Sequence, residues 1–315
     1  MKRIMITGST GQIGTELALA LRAKYGSDNV LATDIRMAEG ELKDTGPFQI
    51  LDCTDPEAIL KTVKEFKADT IYHLAALLSA VAEQKPTLAW EVGMNGLFYV
   101  LEVARETGCA VFFPSSIGAF GLSTPQDKTP QDTIQRPSTM YGVTKVAGEL
   151  LCDYYHKRFG VDTRGVRYPG IISYETEPGG GTTDYAVDIY YKAITDGKYT
   201  CYLKEGTYLD MMYMPDALKA AMDIMEADPS RLIHRNCFNV TSLSVAPEHF
   251  MAAIQKHHPN FTMDYAVDPV RQAIAESWPN SMDDSAARAE WDWTPSYTLE
   301  TMTQDMLLNL NKKLK

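Results

Sequence analysis

Through the first 170 residues, short apolar runs alternate with longer stretches in which apolar residues recur every three or four positions. The runs at 3–7, 30–34, 48–51, 70–74, 110–115 and 163–167 are rich in β-branched and aromatic residues and predict strands buried on both faces. Between them the helical period predicts amphipathic helices over 13–25, 56–66, 88–107 and 141–159. Strands and helices in strict alternation predict a parallel sheet covered by helices. Segment 122–139, rich in Pro, Thr, Gln and Asp, breaks the pattern and predicts a surface loop.

Beyond Gly170 the periodicity weakens. The glycine run Gly179-Gly180-Gly181 leads through Thr182, Thr183 and Asp184 into a helix reaching about residue 196. Short strands are predicted near 200–203, 209–214 and 237–240, and helices near 216–226, 247–257 and 299–311. The chain thus divides into an alternating domain, 1–170, and a smaller mixed α/β lobe, 171–315, between which strands and helices can be exchanged.

Composition works by exclusion. With 315 residues, 45% hydrophobic and 23% charged, the chain reads as globular. A net charge of −11 argues against nucleic acid or an anionic membrane as a partner, and no apolar run approaches the ~20 residues of a membrane helix. Residues 3–7 read as a core strand rather than part of a signal peptide, so a cytoplasmic location is expected. Five dispersed cysteines without CxxC pairing suit a reducing compartment. The six histidines show no ligand spacing, so no metal site is expected.

Candidate chemistry begins at the first strand's end, with Gly8-Ser9-Thr10-Gly11-Gln12-Ile13-Gly14. A strand, a glycine turn and a helix in that order place backbone amides and the positive end of a helix dipole where a pyrophosphate can sit. Asp34, ending the second strand, can accept hydrogen bonds from ribose hydroxyls and would repel the 2′-phosphate of NADP, although Arg36 stands near. Asp52 and Cys53 fall where a side chain could meet an adenine. Leu74, Ala75 and Ala76 are small or apolar where cofactor and backbone must come close.

Tyr141 and Lys145 share one helical face. A free phenol titrates near ~10, and a neighbouring ammonium favours its phenolate, which could take a proton from an alcohol. Ser115 and Ser116 lie upstream; adjacent strand residues face opposite ways, and spacing alone does not say which faces the cleft. Thr182, Thr183 and Asp184 read either as a helix cap or as groups able to meet a small zwitterion.

Together these motifs, with Asn95, the string from Arg167 to Gly170 and the closing Trp291-Asp292-Trp293-Thr294-Pro295, resemble the extended short-chain dehydrogenase/reductase family. Within it the stretches Leu77–Ala80, Pro114–Gly121 and Gly179–Val187 are similar to the NAD-dependent, sugar-epimerase-like L-threonine 3-dehydrogenases. The resemblance implies a Rossmann-type doubly wound α/β sheet and NAD as cofactor. It implies Gly8, Gly11, Gln12, Ile13, Gly14, Asp34, Asp52, Cys53, Leu74, Ala75, Ala76, Asn95, Tyr141, Lys145 and Ile171 as cofactor contacts. Tyr141, Lys145 and Ser116 would be catalytic, and Ser79, Ser116, Tyr141, Thr182, Thr183 and Asp184 would hold L-threonine. Helices 88–107 and 141–159 would pair two copies into a homodimer. A nucleotide-sugar epimerase or dehydratase and a non-catalytic NAD-binding regulator are the competing expectations.

Overall fold

The first apolar run forms β1 (Ile4–Thr7), buried at every position. In this computed structural model, which describes residues 1–175 and 181–314, the chain continues through α1 (Gln12–Tyr25), β2 (Val30–Asp34), α2 (Gly40–Asp44), β3 (Phe48–Ile50), α3 (Pro56–Phe66) and β4 (Thr70–His73). Next come α4 (Ser79–Gln84), α5 (Pro86–Trp90), a π-helical turn (Glu91–Asn95), α6 (Gly96–Thr107), β5 (Ala110–Ser116), α7 (Met140–Phe159), β6 (Thr163–Tyr168) and β7 (Gly170–Ile172). The remainder holds α8 (Tyr185–Thr195), β8 (Lys198–Cys201), β9 (Leu209–Tyr213), α9 (Met214–Glu226), β10 (Phe238–Asn239), β11 (Leu243–Val245), α10 (Pro247–Gln255), β12 (Thr262–Tyr265), α11 (Pro269–Glu276), α12 (Ser285–Trp291) and α13 (Leu299–Lys313).

Seven parallel strands form the central sheet in the order β10-β6-β5-β4-β1-β2-β3. Alternation within β1 feeds both faces: Ile4 and Ile6 join the core under α1 and α9, and Met5 joins the core under α3, α6 and α7. The order reverses around β1, so a crevice opens at the carboxyl ends of β1 and β4, where doubly wound sheets take their ligands. This is the α/β, Rossmann-type architecture expected.

Segments beyond residue 171 help to complete that sheet. β10 pairs with β6, and Ala217, Ala220 and Ile224 of α9 and Trp291 of α12 lie in the core under α1. The second lobe has its own core, with Tyr185 and Tyr190 of α8, Phe250 of α10 and Met302 and Met306 of α13, around the small sheets β11-β9-β7 and β12-β8. Several elements there, including β11, β12 and α11, carry too few residues to show a period.

Two helices prepare the site. The Thr139 hydroxyl accepts from the Gly142 amide at 3.1 Å, fixing where α7 begins, and Gly160 ends it at φ 72°. The helix expected over 88–107 starts at Pro86 and widens into the π turn, where Gly93 faces Thr144 of α7: a Cβ there would lie 3.3 Å from that side chain. Such turns recur beside functional sites.

Candidate active site

The carboxyl ends of β1, β2, β4, β5 and β6 bring most of the expected residues to one crevice. Gly8, at φ 72°, closes the first turn; a Cβ there would be 2.6 Å from the Ala75 amide nitrogen, so the ends of β1 and β4 touch only because both are bare backbone. Gly11 differs, since its nearest neighbour would be 3.4 Å away and the surface it offers is open. Gly11 is also the N-cap of α1, with no side-chain cap and no acid in the first turn. The first amides of α1, from Gln12 and Ile13 through Gly14, are therefore left for an anion, and the buried Ser9 hydroxyl has no partner among the described residues. This cradle fits a dinucleotide pyrophosphate.

Asp34 lies beside it. One carboxylate oxygen accepts from the Thr10 amide and the other from the Arg36 amide, each at 3.0 Å. The Arg36 side chain folds back, donating to the Thr10 hydroxyl at 2.8 Å with its Nε 3.6 Å from Asp34. Asp52 is turned into a local bond with the Thr54 amide and hydroxyl, both at 2.8 Å. Cys53 is buried, its Sγ 3.0 Å from where a Cβ on Gly96 would stand, and burial pushes its thiol up to about 12. Leu74 donates its amide to Thr7 at 3.0 Å, and Ala75, Asn95 and Ile171 are half-buried while Ala76 is exposed.

At the end of β5 the serine pair divides. Ser115 is buried and donates to Glu149 on α7. Ser116 turns the other way; its Oγ accepts from the Gly118 amide at 3.1 Å. A Cβ on Gly118 would lie 3.2 Å from the Tyr141 ring and 3.5 Å from the Ser116 Oγ, so both side chains flank one glycine. Lys145 is buried on the same face of α7, donates to the Pro114 carbonyl at 2.6 Å, and holds its ammonium 5.4 Å from the Tyr141 ring centroid and 5.0 Å from that of Phe113. Ser116, Tyr141 and Lys145 thus converge. His73 closes the floor: Nδ1 bonds the Thr7 hydroxyl at 2.8 Å, and burial, helped by the Lys145 charge, lowers the imidazole to about 3 and keeps it neutral.

One helical turn beyond Lys145, Glu149 anchors the floor. It pairs with Arg167 at 2.8 Å and also accepts from Ser115 and Gln135, while Arg167 donates to the Gln131 carbonyl and to Asn239. A buried ion pair is tolerable when every charge is hydrogen-bonded, as here. Glu149 and Gly118 were not singled out in the sequence, although the spacing Tyr141, Lys145, Glu149 repeats every four residues on one face.

Ser79 begins α4 and is half-buried. Thr182 is buried, and the Thr183 methyl lies 2.8 Å from where a Cβ on Gly170 would stand, two residues past Tyr168, the register partner of Ser116. Asp184 is the N-cap of α8, but its carboxylate caps no amide of that helix; it accepts from the preceding Gly181 amide at 2.7 Å. Gly179 and Gly180, the start of the glycine run that leads into this turn, lie outside the described residues. A surface groove between α3 and α6, lined by Pro56, Leu60, Tyr99 and Glu102, contains none of these groups. Among the described residues no cluster of three His, Cys, Asp or Glu could hold a metal, and no helix is long and apolar enough to cross a membrane.

Comparison with known proteins agrees with this geometry. The model of the NAD dependent epimerase/dehydratase family matches residues 4–241. An uncharacterised epimerase/dehydratase of Staphylococcus aureus (strain USA300) is 57% identical over 314 residues, covering 99% of this chain and 98% of its own. Among solved structures, L-threonine dehydrogenase from Clostridium difficile is 57% identical, with a TM-score of 0.98 over 99% of this chain and 98% of that one. A monomeric L-threonine 3-dehydrogenase from a metagenome is 42% identical, with a TM-score of 0.94 over 99% of this chain and 100% of that one. The chain belongs to the NAD dependent epimerase/dehydratase family, and its cofactor is NAD.

Proposed function

We propose that this chain is an L-threonine 3-dehydrogenase, oxidising the substrate's secondary alcohol to 2-amino-3-ketobutyrate. The observation that carries the reading is 57% identity to an L-threonine dehydrogenase across almost the whole of both chains, joined to the meeting of Ser116, Tyr141 and Lys145 at one point. NAD, when bound, supplies the acceptor for the hydrogen that leaves the alcohol carbon with its electron pair. The turn from Gly8 to Gly14 with the start of α1 would hold the pyrophosphate, and Asp34 the adenosine ribose. Asp52, Cys53, Leu74, Ala75, Ala76, Asn95 and Ile171 would line the rest.

Tyr141 takes the hydroxyl proton. Lys145, desolvated and anchored on the Pro114 carbonyl, supplies the positive charge that favours the phenolate. The Ser116 hydroxyl, already positioned by the Gly118 amide, donates to the substrate oxygen and orients it. Ser79 and the turn Thr182-Thr183-Asp184 meet the zwitterion, with Asp184 opposite the ammonium. The product is a β-keto acid, able to lose carbon dioxide without further help.

The family description favours a second reading, a nucleotide-sugar epimerase or dehydratase, which would regenerate its cofactor in each cycle. NADH absorbance separates the two: steady formation with L-threonine and none with UDP-sugars supports the dehydrogenase, and the reverse pattern of sugar conversion without NADH sinks it. Trp90, Phe98, Leu150 and Tyr154 on the helices at 86–107 and 140–159 are exposed apolar side chains suited to a homodimer, which sedimentation would test. We assign 1–170, completed by β10, α9 and α12, to cofactor binding and the remainder of 171–315 to the substrate lobe. The five thiols are all free and buried, in keeping with a reducing cytoplasm.

A further inference from the structure

We propose that Tyr202 is a positioning residue for the substrate, its hydroxyl fixing the peptide groups of the turn that meets the substrate carboxylate. The inference rests on the amino-acid substrate reading above and adds a residue to it.

Tyr202 follows β8 and points back at the turn. Its hydroxyl lies 3.0 Å from the Gly181 carbonyl and 3.3 Å from the Thr182 carbonyl, so one O–H is shared between two successive peptide groups. In a trans peptide the C=O of one residue and the N–H of the next point in opposite directions. Holding both carbonyls on the Tyr202 side therefore turns the Thr182 and Thr183 amides to the other side. Neither amide has a hydrogen-bond partner among the described residues. The Gly181 amide is occupied separately by Asp184. Two consecutive N–H groups presented together form a concavity that suits a carboxylate. The turn also borders the catalytic residues, because Thr183 packs on Gly170, just past the strand end that pairs with Ser116.

Tyr202 is itself held for this task. The Arg271 guanidinium stacks 4.2 Å from its ring centroid, and the Tyr185 ring meets it edge-on with centroids 6.2 Å apart. The Asp268 amide donates to the Tyr202 carbonyl at 2.9 Å, and the Asp268 side chain caps α11, which carries Arg271. A cation over the face of a phenol is attracted by the ring's quadrupole, so Arg271 fixes where the ring, and with it the hydroxyl, stands. The ring packs, the hydroxyl positions, and the two roles can be separated by one atom.

Tyr202→Phe makes that separation, keeping the stack with Arg271 and the contact with Tyr185. Wild type and variant are assayed for NADH formation over ranges of L-threonine and NAD, with NAD binding and Tm measured alongside. The expected result is a KM for threonine raised about two- to tenfold, the size of one lost neutral hydrogen bond, with kcat within about twofold, NAD affinity unchanged and Tm lowered by no more than a few degrees. An unchanged threonine KM overturns the inference. So does a parallel loss of NAD affinity and Tm, which would mark the hydroxyl as general scaffolding. A wild type that forms no NADH from threonine takes down the substrate reading and this inference with it; an active wild type with an indifferent variant takes down the inference alone.

Discussion

Asp184 reaches back to Gly181 rather than forward into its own helix: Oδ2 accepts from the Gly181 amide at 2.7 Å, and a Cβ on Gly181 would stand 2.9 Å from Oδ1. A glycine is needed where the carboxylate lies. One carboxylate oxygen closes the turn, and Oδ1 has no hydrogen-bond partner among the described residues, which is where the proposed function sets the substrate ammonium.

Asp184→Asn separates the two uses. The amide oxygen can still accept from Gly181, but the charge is gone. Losing a charge-assisted contact typically costs ~1.5–3 kcal/mol, so kcat/KM for threonine is expected to fall roughly ten- to a hundredfold. Tm and NAD binding should stay as they are. If kcat/KM holds within about twofold, Asp184 only closes the turn.

Tyr141→Phe keeps the ring against Gly118 and removes the proton acceptor. Turnover is expected to be nearly abolished while NAD binding persists, both readable in one set of fluorescence and rate measurements. Wild-type turnover in the variant would take Tyr141 out of the reaction.

The serine pair predicts opposite outcomes from one substitution. Ser116→Ala should lower kcat with little change in Tm. Ser115→Ala removes a donor from the buried Glu149–Arg167 network and is expected to cost about 1–3 kcal/mol of stability while the folded fraction keeps its kcat. Matched effects from both variants would contradict the division seen at the end of β5.

Stability should fall as pH rises from about 5 to 8. Burial pushes Asp210 up to about 8, against the bonds it accepts from the Thr241 hydroxyl at 2.6 Å and the Met282 amide at 2.7 Å, and burial raises Glu16 to about 7. Both folded values lie above the unfolded ~4, so the folded state binds the extra protons, and the stabilisation present below pH ~4 is lost as pH climbs through them. Asp210→Asn should flatten the dependence of Tm on pH. The slope is diagnostic rather than the absolute Tm, because the asparagine must turn its oxygen to the Met282 amide and its NH2 to the Thr241 hydroxyl, reversing the direction of that second bond. An unaltered slope would show that Asp210 titrates normally.

Asp34→Ala should weaken the preference for NAD over NADP, since it removes the acceptor for ribose hydroxyls and frees Arg36 from its contact. The measured quantity is the ratio of kcat/KM values for the two cofactors, and no change in that ratio would count against the role given to Asp34.

Where local pattern and tertiary environment ask for the same thing, elements were legible. The strand at 30–34 and the helix at 56–66 fall where the periodicity puts them, because β2 is buried on both faces and α3 has an Asp55 cap, a proline at its first position and one apolar stripe. The π turn at Glu91–Asn95 was not legible, since its five residues carry no period of their own and it lies within a continuous helix facing Thr144. Asp52 and Cys53 sit at the strand end as expected, yet one side chain serves a local turn and the other is buried against Gly96.

The sequence by itself determined the alternation that makes a parallel sheet, the glycine turn, the acid at the end of the second strand and the shared helical face of Tyr141 and Lys145. All of these act through contacts between near neighbours or through a period along one element. Only the tertiary structure decided that Ser116 rather than Ser115 stands beside Tyr141, that Ser115 meets Glu149, and that Tyr202 holds the turn from behind. These depend on the twist of a strand end and on partners up to tens of residues away, which no local period encodes. A strand's alternation says that two adjacent side chains part, and packing alone says which way each one goes.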